Sequence, residues 1–275
     1  MSSIYVLVHL PKCGGRSIFK FFKTLFGEDR VLNLYDNKAH IAGFYDGTVD
    51  LKTFKAICGG HVNGDSHASH LQGLTPRYVA LVREPLERFV SYYNYLSVPD
   101  DSPQNSPTRF PASTPKLTEL AQSCGSVEEF YHRQLTEGDP EWTTSNIQSM
   151  LLTGSKACNV DSVIERLQHH CHLVMPLPMI AQFCRLIALE NDLPVPPPPH
   201  DNPSEQRASP ADISPEFRSM FRRRAELDYF TYHYVCSTSY QTAARMLEQE
   251  VSKLELHILK LQQRKWLFNG WPRST

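Results

Sequence analysis

No apolar run among the 275 residues approaches the roughly 20 that a membrane span needs, so no transmembrane segment is expected. No charge of one sign dominates either: 28 Lys and Arg stand against 29 Asp and Glu, a formal net charge of −1. That balance removes the global electrostatic case for nucleic acid or an anionic membrane, and any anion site must be local. The seven cysteines include no C-x-x-C pair and their number is odd. This fits reduced thiols in a cytoplasm better than a disulfide framework. The first apolar run begins at Ile4, so no signal peptide is expected. His61, His67 and His70 match no common zinc spacing. His169-His170-Cys171-His172 runs straight into the apolar Leu173-Val174-Met175, where alternating exposure is the simpler account. No metal is expected.

What is present starts at the N-terminus. Ile4 to Val8 is a short β-branched run, long enough for a buried strand. His9-Leu10-Pro11-Lys12-Cys13-Gly14-Gly15-Arg16-Ser17 follows, and then Ile18, Phe19, Phe21, Phe22, Leu25 and Phe26 recur with helical spacing. Strand, glycine turn and helix together make an anion cradle: backbone N–H groups approach the ligand and the helix N-terminus adds positive charge. The order of residues does not suit a Walker loop, in which the lysine follows the glycines. Here Lys12 precedes Gly14 and Gly15.

A second strand–turn–helix lies downstream. Tyr78 to Val82 reads as a strand, Arg83 falls at its C-terminal end, and Pro85 suits the first turn of a helix through Leu86, Phe89, Val90, Tyr93 and Leu96. Open α/β sheets bind ligands at such strand ends.

These two segments carry a family resemblance. Pro11-Lys12-Cys13-Gly14-Gly15-Arg16-Ser17 resembles the 5′-phosphosulfate loop of sulfotransferases, whose donor is 3′-phosphoadenosine 5′-phosphosulfate (PAPS). Arg83-Glu84-Pro85-Leu86-Glu87-Arg88-Phe89-Val90-Ser91-Tyr92-Tyr93 resembles that family's 3′-phosphate motif, Arg-x-Pro-x-x-Arg-x-x-Ser-x-Tyr. The resemblance implies a three-layer α/β, P-loop-like fold with a central parallel sheet flanked by helices. It implies PAPS as donor, Lys12 as a catalytic group, Lys12 to Ser17 on the 5′ side, and Arg83 and Ser91 on the 3′-phosphate. Gly60-His61-Val62 resembles the Gly-His-Val segment of the heparan and uronyl 2-O-sulfotransferases, which implies His61 as catalytic base and a carbohydrate hydroxyl as acceptor. Asn146-Ile147-Gln148 and Leu152-Thr153-Gly154 resemble a weaker helix motif of the same enzymes. Animal relatives are Golgi proteins with an N-terminal anchor, so a soluble piece of a luminal enzyme is the alternative to a cytoplasmic one.

The departures are specific. Cys13 and Arg16 stand where the family usually has threonine, and Gly59 stands where a second histidine usually precedes Gly-His-Val. They leave two other readings open: a P-loop small-molecule kinase, and a non-catalytic nucleotide-binding scaffold. Against the kinase stand the position of Lys12 and the absence of an evident Mg²⁺-holding Asp at a strand end.

A catalytic domain is expected over 1–236 and a C-terminal helix over 237–275. Asp100 to Lys116 reads as a surface loop, a lid or acceptor flap, and Pro194 to Ser214 as a proline-rich crossing. In the enzymes that the chain resembles, a loop in this part closes over the adenine and 3′-phosphate, which implies His200, Asn202, Ser204 and Arg207 as candidates there; a plain surface connection is the other reading. Ser214-Pro215-Glu216 is a helix start, and the helix carries Arg218, Arg222, Arg223 and Arg224, either a solvated face or a surface for an anionic acceptor. Asp228-Tyr229-Phe230-Thr231-Tyr232 resembles a helix end that packs the family's core. In the tail, Tyr240, Ala244, Leu247, Val251, Leu254, Ile258 and Leu261 alternate by four and three, an a/d repeat of about three heptads. The expectation is a homo-oligomer through 240–264; a helix folded back on its own domain would need an apolar stripe too.

Overall fold

The computed structural model describes residues 2–59, 68–98, 114–137, 146–197 and 208–268. In chain order its elements are β1 (Ser2–Leu7), α1 (Gly15–Phe26), β2 (Val31–Leu34), α2 (Lys38–Tyr45), β3 (Ala56–Gly59), β4 (Leu74–Val82), α3 (Pro85–Leu96), α4 (Thr114–Ser123) and α5 (Val127–Glu137). Then come α6 (Ile147–Thr153), α7 (Val160–Glu165), β5 (Cys171–Pro176), α8 (Ile180–Glu190), α9 (Pro215–Arg224) and α10 (Glu226–Phe268). The five strands form one parallel sheet in the order β2-β3-β1-β4-β5. β1 therefore lies at the centre, and the loop after it opens where strand order reverses, the position at which open α/β sheets take ligands.

The alternation of β1 shows why helices cover both faces. Ile4, Val6 and Val8 pack with Leu32, Ile57, Ala80 and Val82 against α2, α6 and Val235 of α10. Tyr5 and Leu7 point the other way, with Ala56, Cys58, Val79 and Leu81, against Ile18, Phe21 and Phe22 of α1 and Phe183 and Ile187 of α8. A strand buried on both faces needs a continuous apolar run, and Ile4 to Val8 supplies it. Each fully buried Phe or Ile side chain here stabilises the fold by about 1.5–3 kcal/mol. A third cluster is all helical: Phe89 of α3, Phe130 and Tyr131 of α5, and Phe217 and Phe221 of α9. It fixes α3, and so the second motif, against the body.

Three expectations shift. β4 starts at Leu74 and runs through Pro76. β5 pairs with it only from Tyr78, so at Pro76 β4 is an edge, where proline is tolerated. α4 begins at Thr114, so Lys116 is helical rather than part of a loop; Pro115 suits a first turn, where its missing N–H costs nothing. Asp228 to Tyr232 opens α10 instead of ending a helix, and that helix runs without a break through Cys236 to Phe268.

Candidate active site

The loop after β1 is built to present N–H groups. Cys13 N–H closes a turn on the Leu10 carbonyl at 3.2 Å. Lys12 has φ +65° and Gly14 φ +81°, two left-handed residues separated by Cys13. A non-glycine residue with positive φ costs of order 1 kcal/mol and marks a place where the backbone is held for a purpose. Gly14 is the residue before α1, and no side chain caps the helix start. The start of α1 thus brings its partial positive charge to this loop, which suits an anion. Ser17 is buried beneath them and Arg16 is exposed at the rim.

The second motif comes to the same place. Arg83 Nη1 donates to the Lys12 carbonyl at 3.4 Å. Among the described residues Arg83 Nε is buried without a hydrogen-bond partner, and it meets the Glu87 carboxylate, 3.5 Å away, only as an ion pair. An anion oxygen would complete that guanidinium. Lys12 Nζ lies 4.3 Å from the centroid of the Tyr95 ring on α3. Tyr95 is one helical turn past Ser91, so both share one face of α3 and Lys12 reaches that face. Burial, then the like charges of Arg83 and Arg16, pulls the Lys12 ammonium down to about 8. Arg88 of the motif serves the scaffold instead: it is buried and electrostatically coupled to Asp228. Tyr93 does likewise, its hydroxyl donating to the Cys124 carbonyl at 3.0 Å.

A side chain with no assigned role in the sequence reading joins the two motifs. Gln148 Oε1 accepts from Arg83 N–H at 2.9 Å and from the Cys13 thiol at 3.3 Å, while Gln148 Nε2 donates to the Arg83 carbonyl at 2.8 Å. The Cys13 thiol is therefore engaged as a buried tie to Gln148, and burial pushes it up to about 12. Behind it two helix starts cap each other. Asp228 accepts from Gln148 N–H, Ser149 N–H and Ser149 Oγ; Asn146 Oδ1 accepts from the N–H groups of Leu227 and Asp228. Burial raises the Asp228 carboxyl above its usual range despite Arg88 and these donors. Nothing in the sequence placed Gln148 beside Arg83; the reciprocal caps are visible there only as an isolated Asn and an isolated Asp.

The model of the sulfotransferase family matches residues 5–235. The chain belongs to that family. Among curated proteins none matches it significantly. The match spans the segments that carry both motifs, and the reaction of the family is sulfuryl transfer.

Other expected residues fall as follows. Gly60-His61-Val62 and His67 lie outside the described residues, as do His200, Asn202, Ser204, Arg207 and most of Asp100 to Lys116. Gly59, just before them, has φ +97°, and a Cβ there would stand 2.8 Å from Leu34 C and Tyr35 N. The close approach of β2 to β3 thus leaves no room for a side chain at position 59. The arginines of α9 are largely engaged locally: Arg218 donates to the Ile213 and Pro210 carbonyls, Arg223 to Ser219 Oγ, and Arg222 lies over Tyr229. Among the described residues no group of His, Cys, Asp and Glu could hold a metal ion. His172 instead pairs with Glu190 at 2.8 Å.

Proposed function

We propose that this sulfotransferase moves a sulfuryl group from PAPS to an acceptor hydroxyl on a carbohydrate. The observation that carries the reading is the meeting of two cationic half-sites, Lys12 with the uncapped start of α1 and Arg83 with Ser91, within one hydrogen bond of each other. A donor with anionic groups at both its 5′ and 3′ positions matches that pair. Lys12 and the N–H groups of Gly14 to Ser17 would hold the 5′-phosphosulfate; Arg83, with its orphaned Nε, and Ser91 would hold the 3′-phosphate.

The chemistry is an in-line displacement. The acceptor oxygen bonds to sulfur, the bond from sulfur to the 5′-phosphate oxygen breaks, and the products are a sulfate ester and 3′-phosphoadenosine 5′-phosphate. Charge grows on the leaving phosphate, where the Lys12 ammonium and the helix start stabilise it. The acceptor proton goes to a base that is neutral near pH 7, and His61 is assigned that part from its sequence context.

Two further readings accompany this. The free state of all seven cysteines suits a reducing compartment, the cytoplasm. We also infer that α10 pairs with a second copy of the chain. Its inner face carries the buried Val235 and Ser239, with Met246 packed on the core, while Tyr240, Ala244 and Leu247 of the heptad stripe are exposed, Tyr240 at 74%. The stripe is therefore not the face that docks on its own body, and the sequence continues it through Val251, Leu254, Ile258 and Leu261.

The test is turnover of ³⁵S-labelled PAPS against a panel of glycans and small hydroxyl compounds, with His61→Ala alongside. Label on a glycan, and a loss of roughly 10²-fold in kcat for His61→Ala, are expected. Transfer only to small non-sugar alcohols would overturn the acceptor class, and donor binding without turnover would favour the scaffold reading.

A further inference from the structure

Among the described residues, the one close partner of the Lys12 ammonium is the π face of Tyr95, at 4.3 Å. The cations that bear on Lys12 are Arg83 on the loop after β4 and Arg16 on α1, both of its own sign; the Cys13 thiol opposes them more weakly. An ammonium that is largely buried and crowded by two guanidinium groups is poorly placed to stay charged. An aromatic face within about 6 Å offsets part of that by electrostatic attraction to the ring quadrupole. Tyr95 is half-buried and its helix is pinned by the aromatic cluster around Phe89, so the ring is a fixed platform.

We infer that Tyr95 is a positioning residue for sulfuryl transfer, holding the Lys12 ammonium charged against the Ser91 face of α3 before the donor arrives. This rests on the donor reading given above. The ring attracts a cation less strongly than a phosphosulfate does, so the ammonium is handed to the donor without first having to be charged or found. Replacing the ring removes the one close contact that favours the Lys12 ammonium among the described residues and leaves the burial and the two repulsions. The ammonium then loses its proton at a pH lower by roughly one unit. The other groups facing Lys12 do not change charge in that range: Arg83 and Arg16 stay cationic, and burial keeps the Cys13 thiol neutral.

The experiment is calorimetric binding of 3′-phosphoadenosine 5′-phosphate between pH 6 and 9.5, in full-length wild type, Tyr95→Phe, Tyr95→Leu and Lys12→Ala. Binding is read rather than turnover, so the acceptor base does not enter. Wild type and Tyr95→Phe should share one profile, with affinity falling as pH rises past about 8, where Lys12 titrates. Tyr95→Leu should fall off about one unit lower and bind roughly 10-fold more weakly at pH 8. Lys12→Ala should lack that limb. Pentafluorophenylalanine at position 95 keeps the shape of a phenyl ring and inverts its quadrupole, so it should follow Tyr95→Leu without any loss of packing. A wild-type profile in either Tyr95→Leu or the pentafluorophenylalanine variant overturns the inference. A Lys12→Ala protein that binds like wild type overturns the donor reading instead.

Discussion

The side-chain amide of Gln148 pairs with both backbone groups of Arg83, at 2.9 and 2.8 Å, in the manner of one more strand. Through the same Oε1 it holds the Cys13 thiol. One residue on α6 thus sets the spacing between the two anion motifs. Gln148→Leu should leave the N–H and C=O of Arg83 unpaired in a partly buried place, costing about 1–3 kcal/mol of stability. It should also weaken nucleotide binding. Gln148→Glu should recover the N–H bond but place an oxygen against the Arg83 carbonyl, and so recover little. Urea unfolding and nucleotide calorimetry on both variants check this; a Leu variant with wild-type stability and affinity would remove the clamp.

Gly59 sits where β3 lies closest to β2. With φ +97° and only 2.8 Å from a would-be Cβ to the Leu34–Tyr35 peptide, the position rejects any side chain. Gly59→Ala should destabilise by about 2 kcal/mol or more, and Gly59→His should fail to restore a two-histidine site. Thermal unfolding of the Ala variant decides the point, since an unchanged midpoint is incompatible with that packing.

At the opposite ends of the strands, Glu190 accepts from Tyr5 at 2.6 Å, Arg77 at 2.6 Å and His172 at 2.8 Å. Burial alone would raise its carboxyl; hydrogen bonds from His172 and Tyr5, with the charges of His172 and Arg77, reverse that and hold it below the ordinary carboxylate range. A depressed carboxyl contributes stability above its unfolded value, near pH 4.3, and loses it as pH falls through the folded value. Glu190→Gln should therefore cost about 1–3 kcal/mol at pH 7, and the gap to wild type should close below about pH 4. Urea midpoints at pH 7 and pH 3.5 measure it. A constant gap would mean that the network does not depend on ionisation.

The pairing of α10 has its own test. Light scattering at micromolar concentration should show a homo-oligomer for the full chain and a smaller species for Tyr240→Glu with Leu247→Glu, both folded by circular dichroism. A monomeric full chain contradicts the pairing, and an unfolded double variant would place the stripe in the core despite its exposure.

How much of this the sequence disclosed follows from how local each signal is. β1, the loop and α1 are contiguous, so apolar period, glycines and lysine identify them together. Arg83, Pro85 and Ser91 are equally compact. The Gln148–Arg83 pair spans 65 residues and the Asp228–Ser149 pair 79, and no periodicity connects such positions. The stacking of Lys12 on Tyr95 was hidden for the same reason: Tyr95 reads as one more residue of an amphipathic helix until the loop after β1 is laid against it. The heptad stripe was legible, but which face of α10 meets the body was not, because Val235, Ser239 and Met246 form no conspicuous stripe of their own.

The central claim is that the two anion motifs form one site for a donor carrying both a 5′ and a 3′ anion. Titrating the full-length protein with 3′-phosphoadenosine 5′-phosphate and with ADP, each with and without Mg²⁺, tests it most directly. The account requires tight binding of the first without Mg²⁺ and at least 10-fold weaker binding of ADP, because ADP leaves Arg83 and Ser91 unengaged. Equal affinities, or binding that needs Mg²⁺, would contradict it and point to a kinase.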